Sequence, residues 1–198
     1  ANKKNYRLSF GYISDKIISV LSKYLLCDGE SQKEFLLSKL NIKKEIYVPE
    51  NGSINGISKR FFLPKIKDID ETITCCYVGR LTEEKGLNVF LEVAKQCSKL
   101  DLKCNFIVAG PLDEYFDEFI KWKGDFLSLS NTQLKVEYVD PIEIFSLSDI
   151  LLFPSKREGF GSVVIEAQAS GLVVLASDIY GLKNSFIDGI TGYRCHNV

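Results

Sequence analysis

Between Ile73 and Arg194 short apolar runs alternate with segments whose apolar residues recur at three- and four-residue spacing. The runs over 73–78, 103–109, 134–139, 150–153 and 172–176 have strand length and are rich in Val, Ile, Leu and Phe. Between them, 87–100 carries Leu87, Phe90, Leu91, Ala94 and Cys97 on one helical face. Residues 112–123 place Leu112, Tyr115, Phe116, Phe119 and Ile120 in a similar stripe, and 142–147 reads as a short helix. A further helix of about two turns begins near Gly161 and is closed by Gly171, which is enough to link two parallel strands. The pattern ends with a short helix over 182–187 and an edge strand over 191–194. Strands separated by helices predict right-handed crossovers and an α/β, doubly wound parallel sheet.

The first sixty residues follow the same grammar but are sparser. Phe10, Ile13, Ile17, Ile18 and Leu21 form a helical stripe, and 24–27 and 46–48 read as short strands. Ser31 is placed to cap a helix running to Leu40, with Glu34 as its capping-box partner. Residues 49–59 then turn rich in Asn, Gly and Ser, which predicts a linker. Two helices and two strands are too few for a separate core. The chain therefore divides into 1–60, the tail of a preceding domain plus linker, and 61–198, the main domain.

Bulk properties narrow the chemistry. The chain has 198 residues, 45% of them apolar, 26% charged, and a net charge of −1. That balance is globular and gives no polyanion-binding surface, so no nucleic acid is expected as a partner. No run of 18 apolar residues occurs and no signal peptide is visible, which predicts a cytoplasmic protein. The six cysteines contain no C-x-x-C pair and read as reduced, mostly buried thiols, so no metal is expected. Cys75 and Cys76 are adjacent in a strand and point to opposite faces. The single histidine, His196, lies near the C-terminus, and no Ser-His or Cys-His catalytic pair is expected.

The most informative stretch is 155–171, which joins the strand over 150–153 to the one over 172–176. Gly159 and Gly161 have no Cβ, so a ligand can approach the backbone there. The first helical turn leaves amides without intrahelical partners, and these, with the helix dipole, favour a phosphate. Glu158 and Glu166 are eight positions apart and can border one mouth, where carboxylates would accept hydrogen bonds from sugar hydroxyls. On spacing alone, Glu158 stabilising a helix N-terminus and Glu166 being solvated surface is the simpler reading, with a nucleotide-sugar site as its rival. Upstream, Gly79 lets the chain turn at a strand end beside Arg80 and Lys85, two cations able to clamp a diphosphate. Alternatively, Lys85 pairs on the surface with Glu83 or Glu84.

Glu158-Gly-Phe-Gly-Ser-Val-Val-Ile-Glu166 resembles the Glu-x(7)-Glu signature of glycosyltransferase family 4, retaining enzymes of GT-B fold. Gly79-Arg-Leu with Lys85-Gly86, the Ala109-Gly-Pro turn, Asp149 with Pro154-Ser155, and Asp188-Gly-Ile-Thr-Gly192 resemble its companion motifs in the same order. The resemblance implies the Rossmann-like C-terminal, donor-binding half of a GT-B enzyme, with 1–60 a remnant of the N-terminal domain and the chain a fragment at both ends. It implies that Arg80 and Lys85 hold the diphosphate with the amides of Phe160, Gly161 and Ser162. Gly159 belongs to the same loop. Glu158 would contact the donor sugar, Glu166 the ribose, and backbone near Val139 and Asp140 the base. The family glycine near that position is replaced by Tyr138-Val139. Asp149 reads as a structural turn or cap residue. No cofactor or metal is implied beyond the nucleoside-diphosphate-sugar donor. The implied partners are a saccharide or polyprenyl-linked saccharide acceptor and the enzyme's own N-terminal domain, in bacterial capsule or O-antigen synthesis at the inner membrane face. A non-catalytic nucleotide-sugar-binding module, a partner subunit and a GT-B sugar epimerase are the alternatives.

Overall fold

A computed structural model describes residues 10–49, 52–53, 55–62, 72–114 and 116–196. The chain forms two compact units, Ala1–Gly56 and Ile57–Val198.

In the first unit, α1 (Phe10–Leu21), β1 (Leu25–Leu26), α2 (Glu30–Leu40) and β2 (Ile46–Tyr47) follow one another. The two strands pair in parallel, Leu25 opposite Ile46. Cys27, Leu40 and Ile46 are buried, whereas Ile13, Ile17, Ile18 and Leu21 of the α1 stripe remain more than half exposed. Two residues per strand bury too little surface to cover that stripe. The capping box expected at Ser31 and Glu34 does not form as written. The helix starts two residues earlier, capped by Gly29, with no side-chain cap bond from that residue. Gln32 Oε1 instead accepts from the Asp28 amide at 2.9 Å.

The second unit is built on six strands: β3 (Ile73–Val78), β4 (Cys104–Ala109), β5 (Thr132–Lys135), β6 (Ile150–Phe153), β7 (Val173–Ser177) and β8 (Gly192–Cys195). Their order in the sheet is β5-β4-β3-β6-β7-β8, and every pairing is parallel. The helices between them are α3 (Leu87–Lys99), α4 (Phe119–Leu127), α5 (Pro141–Ser146) and α6 (Ser162–Ala169). From β3 the chain steps outward to β4 and β5, then returns to place β6 on the other side of β3. Right-handed crossovers put α3 and α4 on one face and α5 and α6 on the other.

Burial on both faces explains why β3, β4 and β6 read as continuous apolar runs. Cys75 and Cys76 are both buried, and burial pushes the Cys75 thiol up to about 12, which makes it an inert filler. Under α3 and α4, Phe90, Phe106, Trp122 and Phe126 are almost wholly inaccessible. The Trp122 and Phe126 rings stack with centroids 5.0 Å apart, and the indole N–H donates to the Leu87 carbonyl at 2.9 Å. Each such side chain contributes roughly 1.5–3 kcal/mol by leaving water.

Three elements differ from the sequence reading. The helix expected over 112–123 starts only at Phe119, because Leu112 is held in a bridge with Leu81. Its buried face is Phe119, Trp122 and Phe126, while Ile120 is 80% exposed; Tyr115 lies outside the described residues. The strand expected over 134–139 occupies Thr132–Lys135, since pairing with β4 starts at Phe106 opposite Thr132. Residues 136–140 are then free to form a loop. The short helix expected over 182–187 is a single 3-10 turn, Tyr180–Leu182.

Gly86 seats the start of α3 against the end of β6. Its φ is +74°, and a Cβ there would fall 2.0 Å from the Pro154 carbonyl oxygen. Gly86→Ala is expected to cost about 1–3 kcal/mol by urea unfolding. Gly159→Ala, where a Cβ meets no atom within 4 Å, is expected to unfold at the wild-type midpoint. Equal midpoints for both variants would contradict this packing.

Candidate functional site

Strands β3 and β6 are neighbours whose following segments leave in opposite directions, and a crevice opens beyond their carboxyl ends. A cleft of about 370 Å³ occupies it, lined by Gly79 and Arg80 after β3, Lys85, the loop residues Tyr138 and Val139, Phe153 of β6, Glu158, and Gly161, Ser162, Val163 and Glu166 at the start of α6. Stretches more than eighty residues apart in sequence thus meet at one mouth.

Of the sequence-predicted site residues, Arg80, Lys85, Glu158, Glu166, Val139, Gly161 and Ser162 line this cleft together. Gly159, Phe160 and Asp140 do not. Phe160 is turned inward, 6% exposed. Gly159 is exposed at the bend before α6. The Asp140 carboxylate caps α5, Oδ1 accepting from the Ile142 amide at 3.2 Å. Its other oxygen accepts from Arg60 Nη1 at 2.8 Å. Asp149 has the structural role read for it, Oδ2 accepting the Thr74 amide at 2.8 Å.

The α6 N-terminus is shaped by Gly161, whose φ is +74° and whose Cβ would lie 2.3 Å from Leu182 Cδ2. Val164 N donates to the Gly161 carbonyl at 2.8 Å. The Ser162 and Val163 amides precede that bond, so helix geometry gives them no intrahelical acceptor. Val164 and Ala167 are fully buried, which turns Ser162 and Glu166 to the cleft side.

Two cations and two carboxylates face this space. Lys85 Nζ forms a short ion pair with Glu158 Oε1, both side chains being largely buried, and it also donates to the Arg157 carbonyl at 3.3 Å. The surface pairing of Lys85 with Glu83 does not occur; Glu83 pairs with Lys156 at 3.2 Å. Ser155, fully buried, places its hydroxyl 3.0 Å from the Arg157 carbonyl and 3.1 Å from Glu158 Oε1. Glu158 is thereby held from two sides. Arg80 Nη1 bonds Asp113 Oδ2 at 3.1 Å, an exposed contact of small energetic weight. The buried Tyr77 hydroxyl donates to the Arg80 carbonyl at 2.8 Å. Burial, and then the Glu158 charge, push its pKa upward, so it stays a donor at all ordinary pH.

Burial also pushes the Glu166 carboxyl above its ordinary value, with Arg60 opposing and Asp140 reinforcing the shift. Three contributors escaped the sequence reading: Tyr77, Asp113 and Arg60. Each lies outside the motifs, and the fold brings it to the site; Ser155, within a motif, gains its role from its bond to Glu158. The Gly79-Arg80 motif and its neighbouring Tyr77 were the nearest signal available.

Residues 59–198 match the family described as glycosyl transferases group 1, and the chain belongs to that family. Its relatives are named glycosyltransferases. The capsular polysaccharide biosynthesis glycosyltransferase CapM of Staphylococcus aureus is 28% identical over 204 residues, covering 96% of this chain and 52% of CapM. The D-inositol 3-phosphate glycosyltransferase of Nocardia farcinica is 33% identical over 129 residues, 59% of this chain and 28% of that protein. Among solved structures, S. aureus TarM in a complex with UDP, fondaparinux and alpha-GlcNAc-glycerol superposes with a TM-score of 0.78 at 21% identity, over 96% of this chain and 37% of TarM. WaaG, a glycosyltransferase involved in lipopolysaccharide biosynthesis, superposes with a TM-score of 0.72 at 19% identity, over 97% of this chain and 56% of WaaG. These superpositions establish the GT-B type of α/β fold. The chain spans about half the length of CapM.

Because the Glu166 carboxyl is raised in the folded state, the folded protein holds that proton more tightly than the unfolded chain does. Its contribution to stability therefore falls as pH rises from the ordinary value of 4.5 through the raised one. Glu166→Gln removes that penalty. At pH 7 the variant is expected to melt at or above the wild-type temperature, with the difference fading below pH 4.5. A variant markedly less stable at pH 7 would assign Glu166 a structural role.

Proposed function

We propose that this chain is the donor-binding half of a retaining glycosyltransferase of family 4 type. The intact enzyme moves a sugar from a nucleoside-diphosphate-sugar to an acceptor hydroxyl in bacterial surface polysaccharide synthesis. The observation that carries this reading is the convergence of Arg80, Lys85, Glu158, Glu166 and the α6 N-terminus on one cleft at the switch between β3 and β6. Its size suits a nucleotide-scale ligand.

The roles follow from the chemistry of each group. Glu166, a half-buried acceptor, takes hydrogen bonds from vicinal ribose hydroxyls. Val139 and the exposed Tyr138 ring border the base. Arg80, Lys85 and the Ser162 and Val163 amides receive the diphosphate; the amides of Phe160 and Gly161 enter before the helix proper. Glu158 contacts the donor-sugar hydroxyls near the reacting carbon. As the glycosyl–phosphate bond breaks, negative charge grows on the leaving diphosphate, and fixed donors aimed at it lower the barrier. Retention corresponds to attack from the face the diphosphate leaves, with a phosphate oxygen taking the acceptor proton. No metal enters this scheme, since Arg80 and Lys85 supply the positive charge.

Both cations are engaged within the protein, Lys85 with Glu158 and Arg80 with Asp113. Donor phosphate competes for them. Once Lys85 turns to phosphate, Glu158 is released toward the sugar hydroxyls, so one exchange arms both groups. The similarity to CapM supports a capsule-type product; the acceptor in this reading is a saccharide or polyprenyl-linked saccharide presented at the inner membrane face. Among the described residues no helix is long and apolar enough to cross a membrane. The first unit, Ala1–Gly56, is assigned to the end of an N-terminal domain that completes the acceptor side.

Two measurements test the reading. A thermal-shift panel of UDP- and GDP-sugars against this chain is expected to raise the melting temperature for one base class, as ligands bound to the folded state do. In the intact enzyme, Glu158→Gln and Arg80→Ala are each expected to cut turnover by about tenfold or more, roughly 1.4 kcal/mol of transition-state stabilisation, with both variants still folded. Wild-type turnover in both variants would remove these roles.

A further inference from the structure

The geometry points to Arg60 as a positioning residue for the nucleoside end of the cleft, acting through Asp140 and Glu166; this rests on the nucleoside-diphosphate reading above. Arg60 is in the 3-10 turn Lys59–Phe61, where the second unit begins. Phe61 is 3% exposed, its ring centroid 6.3 Å from that of Phe145 in α5. The Arg60 guanidinium lies over the Phe61 ring, 5.1 Å from its centroid. The buried ring fixes the backbone, and the ring face steers the guanidinium.

From there Nη1 reaches Asp140 Oδ2 at 2.8 Å, while Asp140 Oδ1 holds the first turn of α5. One carboxylate thus fastens three things: the entering segment, the start of α5, and the loop between Val139 and Pro141, both of which line the cleft. Asp140 was a candidate base contact in the sequence. In the structure its carboxylate braces the wall that the base would meet.

The second effect is electrostatic. Arg60 favours the ionised form of Glu166, and Asp140 disfavours it. The other charged groups on the cleft are Arg80, Lys85 and Glu158, and Lys85 is committed to Glu158. Arg60 therefore opposes in part both the burial of Glu166 and the repulsion between two carboxylates bordering one wall. It does not line the cleft itself, so its effect on a donor passes through those two residues.

The signs make the role separable from bracing alone. Removing the cation raises the Glu166 pKa, whereas removing the neighbouring carboxylate lowers it. The experiment is a calorimetric titration of this chain, between pH 4 and 8, with UDP-glucose and GDP-mannose, whose diphosphates do not titrate in that range. Arg60→Gln is expected to weaken binding at pH 7 by about three- to tenfold and to move the acid limb of the affinity profile upward by about half a pH unit. Asp140→Asn retains an acceptor for the Ile142 amide and is expected to move the same limb downward. Arg60→Lys, which keeps the charge but loses the fork, should leave the limb near its wild-type position while recovering only part of the affinity. A limb unmoved in Arg60→Gln, or moved in the same direction by both neutralising variants, would overturn the inference and leave the nucleoside-diphosphate reading standing. Failure of the wild-type chain to bind either donor would overturn that reading and this inference with it.

Discussion

The structure turns on the adjacency of β3 and β6. Both strands point the same way, but the segments leaving them diverge, because β3 feeds a crossover on one face and β6 a crossover on the other. Parallel strands cannot be joined by a tight turn, so each must end in a loop and climb over the sheet in a helix. Where two such climbs part company the sheet leaves a crevice at its carboxyl edge. The candidate site gathers along that crevice: Gly79-Arg80 after β3, Glu158, Gly161 and Ser162 after β6, and the loop after β5 that carries Val139. Gly86, pressed against the Pro154 carbonyl, keeps the two sides in close register.

Charge at the crevice is paired within the protein itself. Lys85 with Glu158 and Arg80 with Asp113 make two pairs of unequal burial. The exposed Arg80 pair is weak in water and easily exchanged. The Lys85–Glu158 pair is shielded, held further by Ser155 and the Arg157 carbonyl, and removing either partner would leave a costly charge. Beside the cleft, Arg60 pairs with Asp140 and favours the ionised form of Glu166.

Membership of the glycosyl transferases group 1 family and the GT-B type of fold agree with this arrangement. The relatives act in capsule, lipopolysaccharide and inositol glycoside synthesis, to judge by their names. A common donor-side device with different acceptors is the simplest physical account, because the charge that develops on a leaving diphosphate is the same in each case.

Local pattern alone was sufficient for β3, β4, β6 and β7, for α3, and for the short helix after Glu158. These elements are buried on both faces or carry an uninterrupted stripe, so periodicity and packing agree. It was insufficient where a long-range contact competed with local preference. Leu112 bridges to Leu81 and delays α4, and pairing with β4 pulls β5 upstream, leaving 136–140 as a loop. The motif residues were legible as chemistry, since Arg80, Lys85, Glu158 and Glu166 are the right groups wherever they stand. That they meet, that Lys85 chooses Glu158 over its sequence neighbours, and that Phe160 and Asp140 turn away from the cleft were not. Those facts depend on which strands are neighbours, and hydrophobic periodicity says which face of an element is buried but not what lies against it.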